Sequence, residues 1–546
     1  MRNQGMRKRA LAVTLTTAIV LTTLGGCIPK TESSGTNEIQ SEVPADNFNA
    51  TGLPIVKEPQ SVTIAAITKK NKNFKELKYF QDLEAATNVQ VNWNMNAREG
   101  WEEKKSLIFA GNDLPDAFYG YRALTDVEIV KYASQGMLIP LNDLIEKYAP
   151  NFMHVLKVNP TFRAQITAPD GNIYALPNIT QLSPTTHSKF FINKTWLDKL
   201  GLPIPETLEQ FEQTLQAFND NDMNGNGNMD DEIPFTFRSQ DFNQQTLAPL
   251  FGSFGQLDDY THFVVKDGKV IYTAVTEPYK EALQYFHRLY SKGLLDKEGF
   301  THDTNVYVAK IQDPNKICGG FMGWSRSSTA GPNKDDYVAI APLKGADGKQ
   351  IWKPVDSQIT SKGSFAITRV AKNPEILMRW MDESYKPENS LQIDQGLFGI
   401  TLEKTADGRY TPLPLPEGRM LDEQVHDYSP GNDGVMGLIQ ETVDKLDLNA
   451  NLQERAELDK FYSQYNVPID EVFPNVMFTA EEVDKLAALK TDIEAYVEKN
   501  YASWISKGGI ENEWDAYIEK LNSMHLEEYM NIHQQAYDRY VAAVKE

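Results

Sequence analysis

Ser61-Val-Thr-Ile-Ala-Ala66 is a short apolar run rich in β-branched residues and reads as a strand. Downstream, Phe74, Leu77, Phe80, Leu83 and Ala86 fall at spacings of three, the mark of a helix with one buried face. Val89-Gln-Val-Asn-Trp93 then alternates at period two, as a half-buried strand does. Strand, helix, strand is the βαβ unit of a parallel sheet. The alternation continues with a helix over about 101–110, a strand at Leu114-Pro-Asp-Ala-Phe-Tyr119 and a helix running through Val130. The pattern predicts an α/β body.

Further along, Lys189-Phe-Phe-Ile-Asn193 reads as a strand feeding a short helix that stops at Gly201. Glycine is the residue best suited to the left-handed turn that ends a helix. Pro203 and Pro205 break the chain, and Thr207 opens another amphipathic helix as its N-cap, with Gln210 three residues on. Trp514 to Ala543 is helical by pattern, with Trp514, Tyr517, Leu521, His525, Tyr529 and Ile532 on one stripe. Trp196, Trp380 and Trp514 sit at helical spacings and read as core.

The N-terminus reads as an export signal, residues 1–26. Arg2, Arg7, Lys8 and Arg9 precede an uncharged apolar run, Ala10 to Leu24, too short to span a bilayer comfortably. The run ends in Leu24-Gly25-Gly26-Cys27, which resembles a lipobox, so Cys27 is expected to carry lipid and hold the protein on the extracellular face of the cell membrane. Residues 27–59 are rich in Ser, Thr, Asn, Glu and Pro and read as a flexible tether.

With Cys27 lipidated, Cys318 is the only remaining thiol, so the exported chain has no internal disulfide and must rely on a large core. Its 546 residues, 41% of them hydrophobic, exceed what one core usually serves, and at least two domains are expected. The net charge of −21 is spread along the chain and disfavours nucleic acid as a partner.

Several segments resemble the extracellular solute-binding proteins of carbohydrate ABC importers, in particular the large lipoprotein subgroup that includes alginate-oligosaccharide-binding proteins. Asp170-Gly-Asn-Ile-Tyr-Ala-Leu-Pro177 is similar to the family's entry to the hinge. Phe191-Ile-Asn-Lys-Thr-Trp-Leu-Asp-Lys-Leu-Gly201 with Pro205-Glu-Thr207 is similar to its crossing into the second lobe. Pro342-Leu-Lys-Gly345 and Ala366-Ile-Thr-Arg-Val-Ala-Lys-Asn-Pro-Glu375 are similar to its return, and Trp514-Asp-Ala-Tyr-Ile-Glu-Lys-Leu-Asn522 to the subgroup's closing helix. The resemblance implies a type II periplasmic-binding-protein-like fold, two α/β lobes joined by hinge strands with the solute between them. Lobe one is expected to comprise 60–188 and 328–386, and lobe two 189–327 and 387–546. It implies a monomer that takes a small-molecule solute, an oligosaccharide, and delivers it to the permease subunits of an ABC transporter.

Asp220 to Pro234 places oxygen-bearing side chains at every second position among glycines, which is how a short loop wraps calcium. A start at Asp222 puts Asn224, Asn226, Asn228 and Asp230 at positions 3, 5, 7 and 9, with Asp231 next to them. A start at Asp220 puts Gly225 at position 6 and Asp231 at position 12. Spacing alone leaves both registers open, and the resemblance favours the first. In either register the calcium is expected to be structural.

A sugar cleft needs flat aromatics for the CH faces and polar groups for the hydroxyls. Tyr119, Tyr121 and Arg122 follow a predicted strand, at the carboxyl end where open α/β sheets bind ligands. Phe321 and Trp324 lie in the Gly-rich run 320–326, and Phe398 in Gln395-Gly-Leu-Phe398-Gly399. These six are the expected solute contacts. There is no H-E-x-x-H, P-loop or nucleophile elbow, and the eight histidines lack ligand spacing, so no catalytic role is assigned. An extracellular glycosidase or lyase, a peptide receptor, and a surface sensor or adhesin stay open at this point.

Overall fold

The computed structural model describes residues 47–70, 72–186, 188–239 and 245–545. Cys27, the export segment and the first part of the tether lie outside them. The strands of the two main sheets are, in chain order, β1 (Gln60–Thr68), β2 (Val89–Ala97), β3 (Ala117–Leu124), β4 (Leu176–Thr180), β5 (Lys189–Asn193), β6 (Gly320–Gly323), β7 (Tyr337–Ala339), β8 (Ile359–Ile367) and β9 (Gly437–Leu438).

The opening βαβ unit forms as its periodicity predicts. β1 and β2 run parallel, with Ile64 opposite Trp93, and the helix Lys78–Thr87 between them buries Tyr79, Phe80 and Leu83. That helix ends at Asn88 in the left-handed region, φ 58°. β2 is an edge strand with Val89 and Val91 inside and Gln90 and Asn92 outside. The third strand starts later than Leu114. Pro115 has no N–H for a ladder, and the Asp116 carboxylate instead accepts the N–H of Thr63 at 2.7 Å, so pairing begins at Ala117. The first sheet has the order β9-β4-β8-β3-β1-β2, with β8 antiparallel to both neighbours. The second has the order β6-β5-β7 around an antiparallel centre.

Each sheet has its own core. The first is built from residues between 55 and 179 together with residues between 359 and 446. The second is built from residues between 190 and 352 together with residues between 462 and 537. Trp380 lies in the first, Trp196 and Trp514 in the second. Thr207 caps the helix Leu208–Asn219 by accepting from Gln210 N, and Gly201 ends Lys194–Leu200 at φ 66°.

Three expectations need correction. The tether does not extend to residue 59. Ile55 and Val56 are fully buried in the first core, Phe48 bridges Val56, and Arg379 donates to the carbonyls of Asn49 and Gly52. Two adjacent β-branched side chains in a polar stretch were enough to dock it. The return to the first lobe comes later than residue 328, because β7 pairs with β5, and Ile340, Leu343 and Trp352 complete the second core. Residues 387–446 belong with the first lobe, since Leu391, Ile393, Leu397, Leu402, Tyr410, Leu438 and Leu446 fill its core. The crossings therefore fall at about 181–188, 353–358 and 447–450.

The C-terminal helical stretch is two helices, Ile510–Ser523 and Leu526–Lys545, broken at His525 with φ 64°. No helix among the described residues is long and apolar enough to cross a membrane.

Candidate solute-binding cleft

The crossing strands are tied together where they pass between lobes. Val355 N–H donates to Thr185 O at 2.9 Å, and the Trp352 indole donates to Ser188 O at 2.9 Å. The helix Ala450–Ser463 follows the third crossing and touches both bodies. Leu452 packs on the first core and Tyr462 is buried in the second. Its Asp459 accepts from Thr185 N at 2.6 Å and from the buried Lys189 ammonium at 2.9 Å. Burial pulls the Lys189 pKa down and Asp459 opposes that.

A cavity of about 450 Å³ opens beside this helix, lined by Thr180 at the end of β4, Leu182 of the first crossing, Asp394, His426 and Asn432 of lobe one, and Trp324 and Arg455. Trp324 directly follows β6 and is half-buried. The segment after it is fixed. Ser325 caps the short helix Arg326–Thr329, and the Glu454 carboxylate accepts from Arg326 N at 2.9 Å and Ser327 N at 3.2 Å. Gly323 is required there, because a Cβ would come within 2.5 Å of Thr329 Oγ1. Arg455 lies over the Trp324 ring. Asp394 is pushed up by removal from solvent, against a hydrogen bond from Gln395 and the charge of Arg455.

The other expected contacts divide. Tyr119 is fully buried, packed among Phe74, Phe80, Trp93 and Trp380, and its hydroxyl accepts from Val435 N at 3.1 Å. Phe321 is fully buried between Phe191 and Tyr337. Phe398 packs beside Tyr410 on the first core and does not line the cavity. The period-two rule explains the first case: Tyr119 and Tyr121 should share a face, but a bulge intervenes. Gly120 takes φ 122°, Arg122 takes φ 60°, and pairing with β8 shifts between Gly363 and Phe365. A Cβ on Gly120 would lie 2.8 Å from Ile67 O. The kink leaves Tyr119 inside and turns Tyr121 and Arg122 out, Tyr121 half-buried and Arg122 exposed.

Tyr121 is surrounded by cations: Lys69 Nζ lies 4.7 Å from its ring centroid, and the guanidinium carbons of Arg98 and Arg122 lie at 5.2 and 5.3 Å. Asp433, next in the chain to the cavity-lining Asn432, has a carboxylate that accepts from Lys69 N at 2.8 Å and Thr68 Oγ1 at 3.1 Å. On lobe two, Tyr260 is 58% exposed, and the charge of Arg122 acts on its hydroxyl. The cavity residues Arg455, Asp394, His426 and Asn432 carried no sequence signal, since each lies in an ordinary helix or loop.

The acidic loop closes on itself away from this cleft. The Asp222 carboxylate accepts from Gly225 N, Asn226 N and Gly227 N at 2.6, 3.1 and 2.8 Å. The amides of Asn226 and Asn224 point at Asp231 Oδ2, at 2.7 and 3.4 Å. Asp231 Oδ1 and Glu232 Oε2 are buried without a hydrogen-bond partner. Asp220 faces away, bonded to Gln216 at 2.8 Å. A separate group, Asp296, Glu298 and His302, has metal-ligand spacing, but Lys310 places its ammonium 2.7 Å from Asp296 and 2.7 Å from Glu298 and supplies the cation itself.

The profile of the bacterial extracellular solute-binding proteins matches residues 63–390. The chain belongs to this family. Among curated relatives, the fructooligosaccharide ABC transporter substrate-binding protein FusA of Streptococcus pneumoniae is 34% identical over 477 residues, 85% of this chain and 87% of FusA. The structure of FusA in complex with kestose superposes with a TM-score of 0.78 at 32% identity, over 88% of this chain and 100% of that one. An HMO-binding solute-binding protein of Bifidobacterium longum infantis superposes with a TM-score of 0.79 at 26% identity, over 89% of this chain and 99% of that one. As a member of the solute-binding family, the chain is a binding protein rather than an enzyme, which sets aside the glycosidase and lyase readings.

Proposed function

We propose that this solute-binding protein holds an oligosaccharide between its lobes and presents it to the permease subunits of an ABC importer. The observation that carries the reading is Trp324, a half-buried ring fixed at the wall of a cavity formed by residues of both lobes. A stacked indole suits the CH face of a sugar, while Asp394, Asn432 and Arg455 supply donors and acceptors for hydroxyls. FusA, named for fructooligosaccharides, and the HMO-binding protein support the substrate class. The lipid on Cys27 would hold a monomeric receptor at the outer face of the membrane, with residues 28–46 as the tether. A thermal-shift screen of the exported chain against kestose, nystose and other oligosaccharides tests the reading, because a ligand of the folded state raises the melting temperature by mass action. A panel without any stabilising sugar contradicts it.

The loop at 222–232 fits a structural calcium in the Asp222 register. The Asn224 and Asn226 amides donate to Asp231 and would have to turn their oxygens toward a bound cation, with Asp222, Asn228 and Asp230 completing the series, and the partnerless Asp231 oxygen is what a hard cation would satisfy. An EF-hand mutant has been made of FusA, which supports such a loop in a relative.

A further inference from the structure

We propose that Lys69, Arg98 and Arg122 around Tyr121 form a subsite for an anionic group carried by the solute, either a carboxylate or a phosphoryl ester. This rests on the oligosaccharide reading and narrows it.

Several surface cations of this chain are matched by carboxylates. Arg326 is bound to Glu454 at 3.1 Å, Arg409 to Asp447 at 2.6 Å, and Lys310 to Asp296 and Glu298 at 2.7 Å each. Among the described residues, no carboxylate makes an ion pair with the side chain of Lys69 or Arg98, although the chain carries 75 acidic residues against 54 basic ones. The two nearby acids are engaged otherwise. Asp433 is spent on Thr68 Oγ1 and the backbone of Lys69, and Asp422 pairs with Lys70 at 2.8 Å. Burial and the neighbouring Arg98 hold the Lys69 pKa below its ordinary value, with Asp433 and Asp422 opposing.

The placement is purposeful in its geometry. The three cations come from the carboxyl ends of β1, β2 and β3, the end at which open α/β sheets take ligands. The β3 bulge that turns Tyr121 and Arg122 outward depends on two residues at positive φ, Gly120 and Arg122, and Arg122 N–H is held by Ser361 Oγ at 3.0 Å. Such strain is kept where it aims a side chain. A bound anion would relieve the repulsion between Lys69 and Arg98 and accept charge-assisted hydrogen bonds from them.

The test compares matched charged and uncharged ligands by calorimetry on the exported chain: trigalacturonic acid against its methyl ester, sucrose 6-phosphate against sucrose, and kestose as neutral reference. In at least one pair the anionic member should bind about tenfold or more tightly, and raising salt should narrow the gap. The pair that shows it tells carboxylate from phosphoryl. The Lys69→Gln/Arg98→Gln variant should erase the gap with the melting temperature and neutral-sugar affinity unchanged. If kestose binds and neither pair shows a gap, or the gap survives in the variant, this inference falls alone. If no sugar in the set binds, the oligosaccharide reading falls with it.

Discussion

Arg455 places its guanidinium carbon 5.8 Å from the ring centroid of Trp324, one residue on the helix that follows the third crossing and the other just after β6. The contact joins two segments that are 131 positions apart and holds the ring at the cavity wall. Replacing Arg455 with Met keeps the stem and removes the charge. Solute affinity should fall about threefold to fivefold, the scale of an exposed cation–π contact. Calorimetric titration checks this, and thermal unfolding should be unaltered because Arg455 is only half-buried.

Tyr119 is expected to act through stability. Tyr119→Ala removes a ring packed on four other aromatics and should cost about 3–5 kcal/mol. Tyr119→Phe loses only the hydrogen bond with Val435 N and should cost about 1 kcal/mol. Denaturant unfolding measures both. A binding defect in Tyr119→Phe at unchanged stability would return this residue to the cleft.

Chelator should lower the melting temperature and calcium should restore it, with magnesium less effective because it demands a tighter octahedron. Asp222→Ala with Asp231→Ala should abolish the response. Solute affinity should hold in that variant wherever it stays folded, since the loop lies away from the cleft. A wild-type melting temperature indifferent to chelator contradicts the calcium proposal.

His533 gives a pH dependence of defined sign. It is buried, stacked on Phe263 with ring centroids 3.9 Å apart, and burial pulls its pKa from 6.5 to about 4. Above pH 6.5 it is neutral in both folded and unfolded chains. As pH falls from 6.5 toward 4, the unfolded chain takes up a proton that the folded chain refuses, so stability declines by about 3 kcal/mol. Unfolding free energies across this range should show that slope, and His533→Gln should flatten it.

The parts of the fold legible in sequence were those written in local periodicity. Val89 to Trp93 alternates because β2 is an edge strand with one wet face, and Thr207 and Gly201 mark helix ends through their own backbone chemistry. The lobe boundaries were hidden because they depend on distant partners. Nothing local says that Tyr337–Ala339 pairs with Lys189–Asn193, or that Leu391 fills the first core. Aromatics were readable as a class but not by side. The Gly120 bulge separates buried Tyr119 from outward Tyr121, although both have the parity of one strand face.

Calorimetric titration of the wild-type chain and Trp324→Ala with a stabilising oligosaccharide tests the central claim most directly. The account predicts saturable wild-type binding at one site and a loss of about 2 kcal/mol in Trp324→Ala, roughly thirtyfold in Kd, at an unchanged melting temperature. Equal affinity in the two proteins, or unfolding of Trp324→Ala, would contradict it.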